Sequence, residues 1–464
     1  MVTFSIENFG CRATEADAVA LRRELLANGL TLAANHSCAD VVVLNTCTVT
    51  AAADSQAREA VRKIHRANPA ARVVITGCYA QRAPEELASI EGVCWVIGNS
   101  HQAEIPAVIR ELVLPAPSPP PVRRATANDF IPLTRLADRL DDRAVLRTRS
   151  PAKILSGDIF SQTTVQVGAA TAVAGDRTRP ILKIQDGCNN RCSYCVIPFV
   201  RGHSRSLPPD LVVEQARGLV EAGAKEIVLS GIHLGSYGRD LQPRAALVHL
   251  VERILAETEL EQLRLSSIEP QDITEDLVAI AAGSARLATH FHVPLQSGSD
   301  RILRAMHRWY RTEHYAERIK LIGRLLPHAA VGADVIVGFP GEEEEDFQAT
   351  VDFVGLLPFT YLHVFPFSQR TGTEAASLDS AVPSPVIRER ARELRALARR
   401  KSTTFRALQA GRVLRALTLA RGGEDWTDGL TGNYLKVPIA GRWPANQWHQ
   451  VRLMNDSKSI VDPL

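Results

Sequence analysis

The sequence predicts an α/β protein with an N-terminal parallel-sheet α/β domain, a central partial (β/α)6 barrel and a small C-terminal β-barrel. Strand-like runs alternate with helical patterns in residues 1–114, and six further strand-like runs follow residue 180. The last segment, from residue 411, alternates short strands with turns. The length of 464 residues agrees with three domains at roughly 150 residues each.

Composition narrows the class of protein. Hydrophobic residues make up 45% of the chain and charged residues 23%, which is typical of a globular protein and excludes extended disorder and collagen. The net charge of +3 is too small to indicate nucleic-acid binding from charge alone. The chain has no apolar run of about 18 residues and no signal-peptide pattern at its N-terminus. We therefore expect a cytoplasmic protein that does not enter a membrane.

In the N-terminal domain, three cysteines each follow a predicted strand. The strand-like runs are residues 4–9, 41–44 and 73–75, and helical patterns cover residues 16–27 and 51–67. Strands and helices in alternation predict a parallel sheet, whose ligand-binding edge lies at the carboxyl ends of its strands. We therefore expect Cys11, Cys47 and Cys78 to meet at that edge.

The remaining boundaries follow from composition and pattern. Prolines in residues 115–121 end the first domain, because proline neither continues a helix nor donates to a sheet, and residues 115–179 are predicted as a linker and insert. The barrel is placed at residues 180–401, with strands at residues 181–184, 226–229, 263–265, 290–293, 331–337 and 361–364. A basic helix, residues 385–410, leads into the small β-barrel, placed at residues 402–464.

Cys188, Cys192 and Cys195 form the sequence CNNRCSYC directly after the first barrel strand. With eight cysteines in 464 residues, this spacing would arise by chance about 0.002 times per chain. In a reducing compartment, grouped cysteines are expected to bind metal or do redox chemistry. Three thiolates on a four-iron cluster leave one iron open to a ligand, whereas a structural zinc site normally has four protein ligands. The pattern favours the cluster, because no fourth Cys or His completes the group at ordinary spacing; structural zinc stays the alternative, with His203 a distant candidate for its fourth ligand.

The motifs along the chain resemble those of the radical S-adenosylmethionine (SAM) methylthiotransferase family, and the spacing of the three cysteines is the radical SAM signature. The resemblance covers nearly the whole chain except the proline-rich insert, through ENFGC, VVVLNTCTVTAAAD, VVITGCYAQ, KIQDGCNNRCSYCVIPFVRGHSRS, IVLSGIHLGSYGRD, LRLSSIEP, HFHVPLQSGSDRILRAMHR, GADVIVGFPGE and FPFSQRTGT. Within the family, NTCTVT, TGCYAQ and SGIHLGSYG are most similar to the branch that methylthiolates N6-threonylcarbamoyladenosine in tRNA.

The resemblance implies two 4Fe-4S clusters: one on Cys188, Cys192 and Cys195, and an auxiliary cluster on Cys11, Cys47 and Cys78. The first would cleave S-adenosylmethionine to a radical that takes hydrogen from C2 of the adenosine, the second would carry the sulfur, and a second S-adenosylmethionine would supply the methyl group. The implied partners are tRNA, S-adenosylmethionine and an electron donor such as flavodoxin or ferredoxin. The implied cofactor-binding residues are Tyr194, Ser230, Gly231, Ser266, Ser267, Glu269 and Ile336.

Three other features are less specific. The family has Asn where this chain has Thr14, which changes the surroundings of Cys11 and not the ligand. In residues 386–401 seven basic residues oppose two glutamates, a pattern typical of a solvated helix face and, beside a small β-barrel, of a surface that follows phosphates. The segment GLTGNYLKV resembles the TRAM module, an OB-like RNA-binding barrel, in which Tyr434 either stacks on a base or packs in the core.

Two further functions fit the sequence. Within the family, the substrate could be isopentenyladenosine in tRNA or a ribosomal protein. Outside the family, the chain could be a non-catalytic RNA-binding protein with structural metal. S-adenosylmethionine cleavage separates enzyme from binder, and the modified nucleoside separates the enzymes from one another.

Overall fold

The structure is a computed structural model that describes residues 2–113, 152–165, 178–457 and 459–463. The chain forms two compact units. The first comprises Met1–Phe9, Glu24–Thr46 and Asp54–Gly157, and the second comprises Gly10–Arg23, Cys47–Ala53 and Asp158–Leu464. The short segments that begin at Gly10 and at Cys47 therefore group with the barrel.

The first unit is built on a parallel sheet. Its strands are β1 (Thr3–Asn8), β2 (Thr31–Leu32), β3 (Val41–Thr46), β4 (Arg72–Gly77), β5 (Val93–Gly98) and β6 (Lys153–Leu155). Their order is β2-β1-β3-β4-β5-β6. The helices described in this part of the chain are α1 (Arg12–Ala27), α2 (Ala51–Ala67), α3 (Cys78–Arg82), α4 (Pro84–Ala88) and α5 (Ile105–Val113). The predicted parallel α/β arrangement is confirmed.

The sheet forms where the sequence is most apolar. Every residue of β3 is buried, and its Val42 and Leu44 share a core with Val61 and Ile64 of α2. A strand covered on both faces requires such a continuous apolar run, which is why β3 was predictable. The patterns do not predict β2, β5 or β6, and β6 lies within the range assigned to the insert, where it pairs with β5. The proline-rich linker, residues 115–121, lies outside the described residues.

The second unit contains the predicted barrel. Its strands are β7 (Ile181–Lys183), β8 (Gln185–Asp186), β9 (Arg205–Ser206), β10 (Glu226–Ser230), β11 (Gln262–Leu265), β12 (His290–His292), β13 (Ala330–Val337) and β14 (Tyr361–Pro366). In the described residues, β11-β10-β7 and β12-β13-β14 form parallel sheets, and β8 pairs with β9. Bridges from Leu263 to Leu287 and from Ser267 to His292 join the two sheets. The six predicted barrel strands are confirmed.

Helices lie between most of the barrel strands. They are α6 (Ile197–Arg201), α7 (Pro209–Glu221), α8 (Leu247–Glu257), α9 (Glu275–Gly283), α10 (Asp300–Ala305), α11 (Thr312–Leu325), α12 (Glu344–Leu356) and α13 (Ser384–Gln409). The last of these is the predicted basic helix. Among the helices that the structure describes, none is long and apolar enough to cross a membrane.

The C-terminal segment is a curled antiparallel half-barrel. Its strands are β15 (Val413–Gly422), β16 (Trp426–Thr431), β17 (Lys436–Ala440) and β18 (Trp448–Arg452), in the order β17-β16-β15-β18. The chain's last residues bridge both edge strands, because Val461 pairs with Ile439 of β17 and Pro463 pairs with Val451 of β18. The predicted small β-domain is thus present as a half-barrel with the C-terminal tail against its edges.

A buried ion network joins the start of α1 to the first barrel strand within the second unit. Asp17 binds Lys183 of β7 and Arg201 of α6, with the Arg201 Nη2 2.7 Å from Asp17 Oδ2. Asp186 lies 3.0 Å from the same two cations, and all four side chains are at most 10% exposed. Burial opposes ionisation, but Arg201 and Lys183 hold the pKa of Asp186 well below its usual range. The network therefore stays charged at neutral pH and fixes α1, and with it Cys11, beside the barrel.

We expect Asp17→Asn to destabilise the protein by about 3–5 kcal/mol, because Lys183 and Arg201 would remain buried with one carboxylate fewer. The measurement is the urea midpoint of the full chain, followed by circular dichroism. Glu59→Gln, an exposed carboxylate on α2, is the matched control, with an expected change of less than about 0.5 kcal/mol. Equal midpoints for the two variants would show that the network does not stabilise the fold.

Candidate metal and cofactor site

The cysteine loop begins where β8 ends. Gly187 has φ of +71°, and a Cβ there would lie 2.0 Å from the carbonyl oxygen of His203. Only glycine therefore fits at this position. Cys188 follows, and the Cys195 N–H donates to the Cys192 carbonyl at 3.0 Å in a tight turn. All three cysteines are free and partly buried. The loop thus presents three thiols at the start of the barrel.

Hydrogen-bond donors reach two of the sulfurs. The Asn190 N–H donates to Cys188 Sγ at 3.4 Å, and Arg308 Nη1 donates to Cys192 Sγ at 3.4 Å. Burial raises the pKa of Cys192 and raises that of Cys195 to about 12, so these thiols need a bound cation to ionise. A metal ion deprotonates coordinating thiols, and hydrogen bonds to the sulfurs are a usual feature of iron-sulfur sites. The donor set therefore fits a 4Fe-4S cluster with three thiolate ligands.

Arg308 links this loop to a predicted cofactor residue. Its guanidinium is buried and donates to Glu269 Oε2 as well as to Cys192. Its Nε donates to Tyr310 Oη at 3.2 Å, and that hydroxyl donates to the Leu295 carbonyl at 2.7 Å. Arg308 thus neutralises Glu269 and places a positive charge beside Cys192. Sequence reasoning missed its role, because no local spacing signals a contact with a residue 116 positions away; its place at the end of the quoted motif HFHVPLQSGSDRILRAMHR is the signal that could have identified it.

His233 is a second residue that the sequence analysis missed. Its backbone N–H donates to Gln185 Oε1 at 2.8 Å, and its ring Nε2 lies 3.0 Å from Asp272 Oδ2. Burial lowers its pKa, but hydrogen bonds to Asp272 and Cys188 outweigh burial and raise the pKa to about 9. The imidazole is therefore positively charged at neutral pH beside a candidate cluster ligand. Its position within the quoted motif SGIHLG is the signal that could have identified it.

Two of the predicted cofactor residues share an apolar wall. Tyr194 of the cysteine loop and Ile336 of β13 pack against the same buried cluster, which consists of Ile302, Met306, Phe339 and Ala375. Ile336 is anchored by its N–H, which donates to the Gln296 carbonyl at 2.9 Å. Apolar walls of this kind suit a flat aromatic ligand such as adenine.

The predicted strand-end residues lie at the ends of β10 and β11. Ser230 is the last residue of β10 and Gly231 follows it, while Ser266 and Ser267 directly follow β11. Ser267 Oγ lies 2.7 Å from His292 Nδ1. Ser266 Oγ is buried and, among the described residues, has no hydrogen-bond partner. Buried polar groups normally have a partner, so this hydroxyl is suited to meet a bound ligand.

Cys11 and Cys47, two of the three cysteines predicted for the auxiliary cluster, lie together in the second unit. A hydrogen bond from Cys47 outweighs burial and, with the charge of Arg201, lowers the pKa of Cys11 to about 5. Gly10 permits this approach, because a Cβ there would lie 2.4 Å from that of Cys47. Thr14, which stands where the family has Asn, donates its hydroxyl to the Cys11 carbonyl at 2.8 Å. Thr14 therefore supports the backbone that carries Cys11.

Cys78 belongs to the first unit. It is buried, it begins α3 directly after β4, and Asn99 Nδ2 donates to its Sγ at 3.6 Å. Thr46 and Gly77, which directly precede Cys47 and Cys78, are register partners at the ends of β3 and β4. Each of the three cysteines thus follows the carboxyl end of a strand of this sheet, as predicted. Their meeting at one edge stays a prediction.

Tyr434 packs inside the second unit. Its ring stacks on His290 at 4.1 Å between centroids, lies 5.6 Å from Tyr361, and has the Arg264 guanidinium at 5.4 Å. The hydroxyl accepts from Arg12 Nη2 at 3.5 Å. His290 and Tyr361 are the first residues of β12 and β14, so Tyr434 packs at the amino ends of these two barrel strands. Of the two interpretations of this residue, core packing is correct.

Comparison with protein families divides the chain into two matched ranges. Residues 182–354 match the Radical SAM superfamily, and residues 3–98 match the family described as Uncharacterized protein family UPF0004. The first range holds the cysteine loop, and the second holds Cys11, Cys47 and Cys78. A radical SAM domain implies one 4Fe-4S cluster and S-adenosylmethionine, which the donor set of the loop fits.

Curated relatives extend the similarity along the chain. The threonylcarbamoyladenosine tRNA methylthiotransferase MtaB of Aquifex aeolicus is 35% identical, over 94% of this chain and 96% of its own length. The enzyme of the same name from Bacillus subtilis is also 35% identical, over 95% of this chain and 91% of its own length. The tRNA-2-methylthio-N(6)-dimethylallyladenosine synthase of Thermobifida fusca is 32% identical, over 89% of this chain and 77% of its own length.

Solved structures share the fold. The radical S-adenosylmethionine methyltransferase TsrM of Kitasatospora setae superposes with a TM-score of 0.53 at 17% identity, covering 81% of this chain and 77% of that chain. At this identity the likeness concerns the fold alone. The relatives at 35% identity carry the assignment further, since they match nearly the full length of both chains. The chain belongs to the radical SAM methylthiotransferase family and is an enzyme of that family.

Proposed function

We propose that this enzyme methylthiolates N6-threonylcarbamoyladenosine in tRNA, at the position just 3′ of the anticodon. The observation that carries the proposal is the 35% identity, over nearly the full length of both chains, to enzymes named for that nucleoside. The reaction replaces the hydrogen on C2 of the adenine by a methylthio group. Relatives named for dimethylallyladenosine match a smaller share of their own length, which makes that nucleoside the second candidate.

In this proposal, Cys188, Cys192 and Cys195 hold the cluster that, with S-adenosylmethionine bound, supplies the radical for hydrogen abstraction. The side chains around the cysteines support it electrostatically. His233 and Arg308 place positive charge beside two of the sulfurs. Positive charge and hydrogen bonds at the sulfurs favour the reduced, more negative cluster. These two residues therefore ease the uptake of the electron that a flavodoxin or ferredoxin would deliver.

The cofactor residues divide the binding of S-adenosylmethionine between them. Tyr194 and Ile336 provide an apolar wall for its adenine, since both pack on one apolar cluster. The unpartnered hydroxyl of Ser266 is suited to a ribose hydroxyl. Ser230 and Gly231, at the end of β10, lie where the methionine end would bind. Ser267 and Glu269 follow Ser266 beyond the end of β11, with Glu269 held by Arg308.

We further propose that Cys11, Cys47 and Cys78 hold the auxiliary cluster that carries the sulfur. Support comes from three observations: the family resemblance, the strand-end position of each cysteine, and the lowered pKa of Cys11. A thiol with a pKa of about 5 is a thiolate at neutral pH, which is the form that binds iron. The cysteines outside the two sets, Cys38 and Cys94, match no family motif.

The basic helix α13 and the half-barrel that follows it are proposed to contact the tRNA, the half-barrel as a TRAM-like module. Part of the positive charge of α13 is used internally, because Arg390 is buried against Glu342 and Lys401 donates to the Leu357 carbonyl. Other arginines are exposed at helical spacing on one side, namely Arg388, Arg392, Arg395 and Arg399. A row of exposed cations suits the phosphates of an RNA strand.

The cluster assignment predicts iron content and activity together. The wild type reconstituted anaerobically should hold about eight irons and cleave S-adenosylmethionine with dithionite. Cys192→Ala should hold about four irons and lose cleavage, whereas Cys78→Ala should hold about four, keep cleavage and lose methylthiolation. Cys94→Ala, a half-buried thiol on β5, is the control and should match the wild type. Eight irons in Cys78→Ala would refute the auxiliary assignment, and stable zinc without cleavage would refute the enzyme.

The substrate assignment predicts the nucleosides of a deletion strain. Its tRNA should lack 2-methylthio-N6-threonylcarbamoyladenosine and accumulate the unmethylthiolated nucleoside, because the earlier modification is intact. Mass spectrometry of digested tRNA measures both, and complementation with the wild type but not with Cys192→Ala should restore the product. Loss of the methylthio derivative of isopentenyladenosine alone would favour the second candidate.

The RNA surface predicts a change in salt dependence. Replacing Arg388, Arg392 and Arg399 with Ala should weaken tRNA binding and reduce the slope of log K against log salt by about 2, because each lost phosphate contact removes about 0.7–0.9. Filter binding over a range of salt concentrations measures this slope. The matched control replaces Arg62, Lys63 and Arg66, which are exposed on α2. An unchanged slope in the first variant, or an equal loss in both, would count against α13 as the contact.

A further inference from the structure

The inner face of the barrel is layered along β12, β13 and β14. His292, Asp334 and His363 each lie two residues further along their strand than His290, Gly332 and Tyr361. Because alternate residues of a strand share a face, both sets of residues line the same face. His290 and Tyr361 form an aromatic layer together with Tyr434. On β13 the next residue of the same face is Ile336, which belongs to the proposed adenine wall. The three polar side chains therefore lie between the filled end of the barrel and the proposed cofactor site.

These three side chains bring their ligand atoms together. One nitrogen of each imidazole and one oxygen of the carboxylate all lie within 4.8 Å of one another. The distance from His292 Nε2 to Asp334 Oδ1 is 3.2 Å. Two ligand atoms of a tetrahedral zinc ion with bonds of about 2.0–2.1 Å are about 3.3 Å apart, so this pair already has a suitable separation. His363 supplies the third ligand atom and is the exposed member of the set.

His292 is held in a way that leaves its second nitrogen unused. Its Nδ1 lies 2.7 Å from Ser267 Oγ, which fixes the ring. Its Nε2 is buried and, among the described residues, has no hydrogen-bond partner, since the approach to Asp334 lacks hydrogen-bond geometry. A buried polar atom without a partner costs about 1–3 kcal/mol. A bound cation would satisfy this nitrogen and the carboxylate together.

We propose that His292, Asp334 and His363 form a binding site for a divalent transition metal ion of the zinc class inside the barrel. Two imidazoles and one carboxylate favour zinc, cobalt or iron over magnesium and calcium, which prefer oxygen ligands alone. Metal-ligating histidines usually have their other nitrogen held by a hydrogen bond, which is the arrangement of Ser267 and His292. Three protein ligands leave coordination positions open, as in catalytic rather than structural zinc sites.

The charge around the site is mixed. Asp334 supplies a negative charge, whereas Arg12, which reaches Tyr434, is close enough to act electrostatically on His363. The cation Arg12 weakens the attraction of the site for a metal ion. It also makes an oxygen anion a favourable ligand for the open positions, because metal and guanidinium would both attract it. The open positions of a bound ion would therefore be filled by oxygen ligands, with the ion itself held by the three side chains.

The test is metal retention by the full-length enzyme with its clusters already reconstituted. Samples are dialysed anaerobically against micromolar Zn²⁺, then against buffer, and iron and zinc are measured together. The wild type should retain about one zinc per chain without loss of iron. His363→Ala and Asp334→Asn should retain none, whereas His249→Ala, which removes an exposed imidazole on α8, should retain the same amount as the wild type.

A spectroscopic readout identifies the ligands. Co²⁺ bound to the oxidised enzyme, whose clusters give no electron paramagnetic resonance signal, should give a high-spin spectrum that is lost in His363→Ala. Three outcomes overturn the proposal: no zinc in the wild type, equal zinc in the wild type and His363→Ala, or zinc gained with a matching loss of iron. Because His363 is exposed, its replacement tests the site even where Asp334→Asn folds poorly.

Discussion

Two buried carboxylates and two buried cations hold the segments that carry Cys11 and Cys188 in place. Asp17 follows Cys11 on α1, Asp186 precedes Cys188, and Lys183 and Arg201 bind both carboxylates. Burying any one of these charges without its partners would cost free energy, so the burial of each ion depends on the others. The geometry of both cysteine segments therefore depends on one set of mutual contacts, and a change in any member affects both.

The strand β3 was predictable because all its residues are buried, and a strand covered on both faces requires an apolar run. Residues 331–337 are apolar apart from Asp334, and β13 is buried there except at Asp334 and Ile336. The short β6 could not be predicted, since it has three residues and reaches its partner β5 only across residues 114–151. Pairing between distant segments leaves little trace in local sequence.

The residues of the candidate site also differ in how far the sequence predicts them. The cysteines were predictable because ligand spacing is local and specific, and a glycine with positive φ precedes Cys11, Cys78 and Cys188 alike. Arg308 and His233 lie within quoted motifs, but their contacts with Cys192 and Asp272 exist only in the folded barrel, so the sequence does not reveal their roles. The cluster of His292, Asp334 and His363 likewise combines one residue from each of three strands. The sequence therefore identifies the ligands of a motif, whereas the folded structure is needed to identify the residues around them.

Tyr434 belongs to the half-barrel and not to the barrel whose amino end it fills. Its stacking on His290 means that a side chain from the half-barrel closes this end of the barrel. If the half-barrel moved and withdrew this ring, solvent and other hydrogen donors could enter the barrel and quench a radical. If the half-barrel contacts RNA as proposed, its position on the RNA and the closure of this end of the barrel depend on the same packing of Tyr434.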